Sequence, residues 1–317
     1  MIYKYIVYIL YNYYMNFENN VGLINFGNTC FMNASIQLLI CGKALGSFLL
    51  LYDTQLQPYF QNIDIQNYDI YKYIQTWKDY ISITTNNLGP RIMYNRYKIL
   101  NTEYLGHSQE DSHEFLIYTL NDILEQIKKS INDSILNEEQ QTNIMNEIMK
   151  IYSINLSQKV YYKNTNITSE TFKYENILSL PITDNINSLT EAFNSYLFQD
   201  DNESEHSITF KIIEHPKYIF VSLNRFNIDY NNNSFQKNNK RIDMDFETDI
   251  FGKKYRLKGF IKHDGGIYGG HYYTYARRKI EDEIKWFCYN DLNISQVNFD
   301  TIVNESKLAY VYLYSLS

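Results

Sequence analysis

A single cysteine at the predicted start of a buried helix is the feature that most constrains this chain. The segment Gly22–Asn33 reads GLINFGNTCFMN, and the residues after Cys30 are apolar at helical spacing until Gly42. Asn28 and Thr29 are residue types that favour the N-cap, so the pattern predicts a helix that begins at Cys30. A thiol in the first helical turn meets unpaired backbone N–H groups and the positive end of the helix dipole, which both favour the thiolate.

Two interpretations of Cys30 remain open at this point. A free cysteine is most often a small buried hydrophobe, and such a residue needs no particular neighbours. A nucleophile needs a hydrogen-bond donor for the oxyanion that forms beside the sulfur. Asn25 lies five residues before the thiol, in a segment bracketed by Gly22 and Gly27, and its amide can supply that donor. These neighbours favour a nucleophile.

A second helix is predicted from Gln109 onward. Apolar residues recur at helical spacing between Phe115 and Ile127, which predicts a helix over about 109–129 with Ser108 as its N-cap. Asp111 then falls at the third helical position. The simplest role for the acidic residues Glu110, Asp111 and Glu114 is electrostatic capping of this helix N-terminus.

The second half of the chain changes to the alternation of β-strands. Short alternating runs predict strands over 155–181 and 217–226, and the Asn-rich segment 227–240 is predicted as a loop. Further strands are predicted over 255–263, 271–278 and 284–291, with a flexible glycine loop over 265–270 that leads straight into His271. His263, on the loop side, is the weaker candidate for a base.

The length of the turn between the last two strands decides which polar residue faces His271. A four-residue turn at 279–282 pairs Arg278 with Glu283, and the same register sets Asn290 opposite His271, where its amide can fix the imidazole. A five-residue turn would bring Asp291 opposite instead. Asn290 is therefore predicted to orient the ring, with Asp291 as secondary electrostatic support.

Charge and cysteine usage limit the partners and the compartment. The formal net charge of −7 argues against a nucleic-acid partner and suits a basic protein partner. Three scattered cysteines are too few for a disulfide framework, so a reducing compartment, cytoplasm or nucleus, is expected. The apolar segment 1–15 is shorter than the ~20 residues that span a membrane and contains Lys4 and Asn12, so we expect a surface element and no membrane partner.

Three segments of this chain resemble the boxes of the ubiquitin-specific proteases. These segments are GLINFGNTCFMN at Gly22–Asn33, QEDSHEF at Gln109–Phe115, and the pair GGHYY and WFCYND around His271 and Asn290. They occur in the family's order, and the resemblance spans residues 21–303. The family is papain-like, so the resemblance implies an α+β fold with a helical thumb (about 20–154), β-rich fingers (about 155–215) and a β-sheet palm (about 216–317), after an N-terminal extension at 1–19.

The resemblance also implies an activity. Members of the family are deubiquitinating thiol hydrolases that cleave after the C-terminal Gly-Gly of ubiquitin, so ubiquitin and ubiquitinated proteins are the expected partners. The roles implied here are Cys30 as nucleophile, His271 as base and Asn25 as oxyanion donor, while the residues implied to contact the ubiquitin tail are Gln109, Asp111, Glu114, Phe226 and Tyr272. Alternatives are a protease for a ubiquitin-like modifier and an inactive ubiquitin-binding domain.

The fingers depart from the family pattern. In the family they are often tipped by zinc held in two Cys-x-x-Cys pairs, and this chain contains no such pair. We therefore expect no metal and no cofactor.

Overall fold

The structure is a computed structural model that describes residues 21–41, 43, 46, 69–82, 89–104, 106, 108–200, 205–229, 234–266, 269–280 and 283–317. The predicted extension at 1–19 lies outside these residues. The helices are α1 (Cys30–Cys41), α2 (Asp69–Ser82), α3 (Gly89–Leu100), α4 (Ser112–Asn132), α5 (Glu138–Tyr152), α6 (Leu189–Leu197) and α7 (Phe299–Ser306). None of the helices in this described part is long and apolar enough to cross a membrane.

The strands form three antiparallel groups with one parallel exception. Their bounds are β1 (Ile154–Tyr162), β2 (Ile167–Glu175), β3 (Ile177–Leu180), β4 (Phe198–Asp200), β5 (His206–Glu214), β6 (Tyr218–Leu223), β7 (Phe226–Asp229), β8 (Ser234–Lys237), β9 (Glu247–Ile250), β10 (Lys253–Gly266), β11 (Gly269–Ile280), β12 (Glu283–Asn290), β13 (Asn293–Val297) and β14 (Ala309–Leu316). The large sheet has the order β13-β12-β11-β10-β14-β6-β3 with β9 beside β10, and β3 is parallel to β6. Five of the seven described helices precede β1 and every described strand follows them, which confirms the α+β prediction.

Helix α1 lies along β11 of the large sheet. Cys30 lies beside Tyr272, whose backbone lowers the pKa of the thiol, and one helical turn later Thr274 Oγ1 donates to the carbonyl of Ala34 at 2.6 Å. Four residues on, Leu38 lies over Gly259, the strand partner of Ala276. Four helical residues rise about 6 Å and two strand residues about 6.7 Å, so helix and strand stay in step. The predicted helix at Cys30 is confirmed.

Helix α4 begins three residues later than predicted. Asp111 is its N-cap, because its carboxylate accepts from the backbone N–H groups of His113 (2.7 Å) and Glu114 (3.3 Å). Ser108, the predicted cap, instead donates its hydroxyl to Glu110 at 2.6 Å. The capping role predicted for the acidic segment is correct. The prediction of Ser108 as N-cap and Asp111 as third helical residue is wrong. A carboxylate is as good an N-cap as a hydroxyl, and Asp111 lies nearer than Ser108 to the apolar stripe of the helix.

The register of the β11–β12 hairpin differs from the predicted one by two residues. The strands close at Ile280 and Glu283, and Thr274 pairs with Tyr289, so continuation of the ladder sets Asn290 opposite Tyr273 and not opposite His271. A shift by two residues preserves the face of the sheet, whereas a shift by one reverses it. Asn290 and His271 are therefore diagonal neighbours on one face, which long side chains can bridge.

Two segments predicted as loops contain strand residues in the part of them that the structure describes. The Asn-rich segment 227–240 contains the hairpin β7–β8, in which Asn227 pairs with Gln236. The glycine segment 265–270 extends β10 and β11, since Gly265 pairs with Gly270. The low β-propensity of Asn and Gly is overridden in both cases by backbone hydrogen bonding to a neighbouring strand.

The smaller sheet, of order β2-β1-β5-β4, carries α6 on one face, where Tyr196 stacks on Phe210 at 4.9 Å between ring centroids. Its tip is closed by Lys163, whose ammonium pairs with Asp200 at 2.6 Å and whose backbone N–H donates to Glu205 at 2.9 Å. Among the described residues no group of three His, Cys, Asp or Glu side chains is arranged to hold a metal ion.

The contact between α1 and β11 leaves no room for a methyl group at Gly259. A Cβ there would lie 2.7 Å from the Tyr275 carbonyl oxygen and 3.0 Å from Leu38 Cδ1. We expect Gly259→Ala to lower the free energy of unfolding by about 1–3 kcal/mol in urea denaturation. Gly266→Ala is the control, because nothing lies within 4 Å of its Cβ position. Equal stability of the two variants would contradict this account of the packing.

Candidate active site

The loop before α1 is held by the side chain of Asn25. Its Oδ1 accepts from the backbone N–H groups of Gly27 and Thr29, both at 3.0 Å, and from the Thr29 hydroxyl at 3.1 Å. Gly27 and Asn28 adopt positive φ angles of 95° and 56°, which turn the chain into the helix. The first helical bond runs from Asn33 N–H to the Thr29 carbonyl at 3.0 Å, so Thr29, one of the two residues predicted to favour the N-cap, is the N-cap.

Cys30 is buried, and its burial decides its ionisation. Burial raises the pKa of the thiol above its ordinary value, and the backbone N–H of Tyr272 lowers it in part, while the Asp291 carboxylate raises it further. The backbone N–H groups of the helix start lower the pKa of the thiol, as expected, but desolvation outweighs them, so the net shift is upward. A neutral thiol requires a base to take its proton before it can attack.

His271 is in hydrogen-bond contact with Asn290. Its Nε2 lies 2.6 Å from Asn290 Oδ1 and 3.9 Å from Asp291 Oδ2. Because an amide oxygen only accepts, the ring donates from Nε2, and Nδ1 is left as the proton acceptor of the neutral imidazole. The structure thus brings Asn290 to the ring and sets Asp291 farther away.

Asp291 joins the cysteine loop to the end of β12. Its carboxylate accepts from Asn25 Nδ2 at 3.0 Å and from Asn33 Nδ2 at 2.7 Å, and its carbonyl accepts from Leu23 N–H at 2.9 Å. Asp291 itself has a positive φ of 51°, which aims its side chain back at the loop. Asn25 keeps a second Nδ2 hydrogen that has no partner among the described residues, as an oxyanion donor requires.

A cleft of about 680 Å³ adjoins the cysteine loop. It is lined by residues of the loop, the start of α4 and the strand ends, namely Asn28, Ser108, Gln109, Glu110, Asp111, Glu114, Phe226, His263, Gly266, Gly269 and Tyr272. All five residues predicted to contact the ubiquitin tail are among them. The structure therefore brings these residues together on one cleft.

The α4 side of the cleft is acidic. Burial raises the pKa of the Glu114 carboxyl, and repulsion from Glu110 and Asp111 raises it further. Asp111 is already engaged, since it caps α4 and accepts the Tyr310 hydroxyl at 2.8 Å. An incoming cation would thus stabilise the negative charge of Glu114 most, because this carboxylate is both buried and repelled by its neighbours.

Gln109 bridges the cleft. Its Nε2 donates to the Gly270 carbonyl at 2.9 Å, and its Oε1 accepts from the Gly270 N–H at 2.8 Å. Gly270 precedes His271 and lies so close to His263 that a Cβ there would be 2.1 Å from His263 Nε2. The start of α4 is therefore tied to the strand that carries His271.

The cleft wall also contains His263 and Phe226. Burial, followed by repulsion from Lys237, lowers the pKa of His263 to about 4, so this ring is neutral at physiological pH. It packs on Tyr272 (4.4 Å) and Phe226 (5.6 Å), which makes it part of the wall. Phe226 itself is half-buried and packs edge-on against Tyr310, so it belongs to both the cleft and the core.

Sequence reasoning missed two residues of this site. Asn33, which donates to Asp291, lies within the cysteine segment and one helical turn after Cys30, so its position on the helix was a usable signal. Tyr310, which donates to Asp111, is one of 32 tyrosines, and nothing in the sequence distinguishes it.

Comparison with known proteins gives the family. Residues 21–314 match the family described as ubiquitin carboxyl-terminal hydrolase. The chain belongs to this family. Ubiquitin carboxyl-terminal hydrolase 21 of Homo sapiens is 22% identical to this chain, and the match covers 94% of this chain and 62% of the relative. Ubiquitin C-terminal hydrolase 15 of Oryza sativa subsp. japonica is 23% identical, and the match covers 93% of this chain and 31% of the relative. This chain thus spans less than two thirds of each of these relatives.

Solved structures support the papain-like α+β fold of this chain. The structure of the SAGA Ubp8/Sgf11/Sus1/Sgf73 DUB module bound to ubiquitin aldehyde superposes with a TM-score of 0.75 at 20% identity, over 96% of this chain and 70% of the other. A SAGA DUB module bound to monoubiquitin gives the same TM-score of 0.75 at 21% identity, over 94% of this chain and 69% of the other. At these identities the likeness concerns the fold.

Asn290 and Asp291 can be separated by experiment. We expect Asn290→Ala to lower kcat about 10²-fold with little change in stability, because only the hydrogen bond to the ring is lost. Asp291→Ala should lower the free energy of unfolding by about 2–4 kcal/mol, because two side-chain amides lose a charged acceptor, and its turnover should fall less. Turnover of a fluorogenic ubiquitin substrate and urea denaturation check both. An inactive but stable Asp291→Ala beside a near-normal Asn290→Ala would reverse the two roles.

Proposed function

We propose that this protein is a deubiquitinating thiol hydrolase that cleaves the bond after the C-terminal Gly-Gly of ubiquitin. The observation that carries the proposal is that Cys30, at the start of α1, meets the strand of His271, whose ring is hydrogen-bonded to Asn290 at the end of the next strand, beside an acidic cleft. Membership of the ubiquitin carboxyl-terminal hydrolase family supports it. The helices before residue 154, the smaller sheet and the large sheet correspond in this proposal to thumb, fingers and palm.

The chemistry begins with proton transfer. His271, with Nε2 held by Asn290, takes the proton of the neutral Cys30 thiol at Nδ1, and the thiolate attacks the carbonyl carbon of the last glycine. The oxyanion is stabilised by the Asn25 amide and nearby backbone N–H groups. His271 returns the proton to the leaving amine, and water then releases ubiquitin from the acyl enzyme by the same steps in reverse order.

Substrate selection rests on the cleft. The direct bridge between Gln109 and Gly270 narrows the cleft, which suits a tail that ends in two glycines, because these have no side chains to clash. The unrelieved negative charge of Glu114 suits the arginines of that tail through charge-assisted hydrogen bonds. A ubiquitin-like modifier with the same tail is the second candidate, because the cleft selects the tail and not the rest of the modifier.

A reducing compartment, cytoplasm or nucleus, is part of the proposal. Cys30 and Cys288 are free thiols, and a nucleophilic thiol must stay reduced to act. The alternative of an inactive ubiquitin-binding domain is disfavoured by the hydrogen bond between His271 and Asn290, which a binding module does not need.

The nucleophile is tested with a ubiquitin probe that carries a reactive group at its C-terminus. We expect a covalent adduct with the wild-type protein and none with Cys30→Ala, because the adduct forms at the attacking sulfur. Cys288→Ala is the matched control and should still react, since burial raises the pKa of the Cys288 thiol to about 11 and it lies outside the cleft.

Parallel probes made from ubiquitin-like modifiers separate the two candidate substrates. Faster reaction with one of them than with ubiquitin would favour the second candidate. Labelling of Cys288, or no labelling of a folded protein by any probe, would contradict the proposed mechanism.

Glu114→Gln tests the acidic cleft through opposite effects on stability and activity. Folding raises the pKa of Glu114, so the ionised carboxylate destabilises the folded protein at pH values above that raised pKa. This destabilisation disappears as the pH falls below the pKa that Glu114 has in the unfolded chain. We expect the variant to have a higher Tm at pH 7 and the same Tm as wild type below about pH 4. Its KM for a ubiquitin substrate should rise about three- to tenfold at unchanged kcat. Glu125→Gln, exposed on the same helix, should change neither quantity, and an unchanged KM in Glu114→Gln would contradict the role.

A further inference from the structure

Four glycines form the end of the β10–β11 ladder, directly before His271. Gly265 pairs with Gly270 and Gly266 with Gly269, and we call these four residues the glycine hairpin. Glycine loses more backbone entropy on ordering than any other residue, and these glycines have no side chains that could pack. The order of the glycine hairpin must therefore come from contacts with other parts of the chain.

Side chains could not replace these glycines. A Cβ at Gly265 would lie 2.6 Å from the Gly269 carbonyl oxygen, and the φ of Gly265 is 117°. A Cβ at Gly270 would lie 2.1 Å from His263 Nε2. The close approach of the two strands thus requires the residue type that is hardest to keep ordered.

A lysine on β8 holds one strand of the glycine hairpin. The Lys237 ammonium donates to the main-chain carbonyls of His263 at 2.7 Å and of Gly265 at 2.9 Å, both near the end of β10. Among the described residues, no carboxylate lies within ion-pairing distance of Lys237. Burial lowers the pKa of this ammonium, and the two hydrogen bonds offset part of the cost of withdrawing it from water.

The other strand of the glycine hairpin is held by Gln109. Its amide exchanges two hydrogen bonds with the main chain of Gly270, at 2.8 and 2.9 Å. Gly270 is the ladder partner of Gly265. Lys237 and Gln109 therefore fix the two members of one glycine pair from different sides.

These two contacts differ in their relation to the cleft. Gln109 lines the cleft, as do Gly266 and Gly269, whereas Lys237 is not among its lining residues. The Gln109 amide offers Gly270 one donor and one acceptor, which is the same pair that a peptide group offers. An extended peptide in the cleft can therefore replace Gln109 on Gly270, but it does not compete with Lys237.

The support of Lys237 is itself rigid. Arg225, buried just before β7, donates to the carbonyls of Asn238 at 3.0 Å and Lys240 at 2.8 Å, which follow β8, and to that of Ala309 on β14 at 2.7 Å. This guanidinium fixes the base of the β7–β8 hairpin to the large sheet. Lys237 thus extends from an anchored strand.

Lys237 also belongs to the wall of the cleft through its strand partner. It pairs with Phe226, which lines the cleft and packs on the His263 ring at 5.6 Å. The carbonyl of the same His263 accepts from Lys237. One lysine therefore joins the wall at Phe226 to the glycine hairpin.

We propose that Lys237 is a positioning residue that keeps the glycine hairpin in place against the cleft while the substrate tail displaces Gln109 from Gly270. This inference rests on the proposed function, because it concerns the same cleft and the same tail. Lys237 acts through the carbonyls of His263 and Gly265 and not by contact with the reacting atoms. Without it, the glycine hairpin must be ordered when the tail binds, and this ordering weakens binding.

The test compares Lys237→Met with Lys240→Met, a matched control. The Lys240 ammonium also donates to two main-chain carbonyls, those of Thr183 at 3.1 Å and Asp184 at 2.6 Å, and neither residue lines the cleft. Each variant keeps most of the aliphatic stem and loses two hydrogen bonds of the same kind. A merely structural role of Lys237 predicts equal effects of the two substitutions.

Turnover of a fluorogenic ubiquitin substrate measures the effect on the cleft. We expect Lys237→Met to raise KM about three- to tenfold and to change kcat less than about twofold, because His271 is still held by Asn290. Lys237→Arg should have a KM within about twofold of wild type, because it keeps the charge and the donors. Lys240→Met should change neither constant.

Hydrogen exchange followed by mass spectrometry measures the glycine hairpin without a substrate. In peptides that cover residues 263–272, we expect exchange to be about fivefold faster or more in Lys237→Met and unchanged in Lys240→Met. Adding Gln109→Ala to Lys237→Met should speed exchange further, because both members of the Gly265–Gly270 pair are then released. Tm values show that each variant is folded, and Lys237→Gln replaces Lys237→Met if the latter does not fold.

The inference is overturned if Lys237→Met changes only one of the two quantities, KM or exchange, or neither of them. Equal effects of Lys237→Met and Lys240→Met would overturn it as well. Absence of ubiquitin turnover by the wild-type protein would contradict the proposed function. The exchange experiment needs no turnover, and unchanged exchange in Lys237→Met would then overturn the role of Lys237 by itself.

Discussion

The packing of α1 along β11 is the contact on which the rest of this structure depends. Four helical residues and two strand residues cover nearly the same distance, so successive turns of α1 meet successive even-numbered residues of β11. Gly259 permits this close approach, because any side chain there would strike Leu38 and the Tyr275 carbonyl. The first turn of α1 then delivers Cys30 to the strand of His271.

The ionisable groups around that helix are arranged at a cost to stability. Cys30 is desolvated, which raises the pKa of its thiol, and Glu114 is held near two other carboxylates. Strongly shifted groups gather at functional sites because a partner, and not the protein itself, supplies the compensating charge. Asp291 shows the opposite arrangement, since its carboxylate is satisfied by two amides and stabilises the loop that carries the nucleophile.

Prediction from the sequence succeeded where function depends on which face of a sheet or which end of a helix a residue occupies, and not on its exact pairing partner. Asn290 was expected opposite His271 and lies instead two places along the ladder, yet it reaches the ring because a two-residue shift keeps the face. Asp111 was expected inside α4 and caps it, so its charge stays at the helix start in either case. The glycine and asparagine segments were predicted as loops because their propensities are local, whereas their pairing into strands depends on distant residues.

The sequence by itself determined the helix at Cys30, the strands around His271, the acidic start of α4 and the family, because each depends on the spacing of residues close together in the chain. Only the tertiary structure decided that burial raises the pKa of Cys30 and that Asp291 binds Asn25 and Asn33 from the far end of the chain. Burial and long-range pairing set these properties, and both depend on which surfaces meet when α1 packs on the sheet.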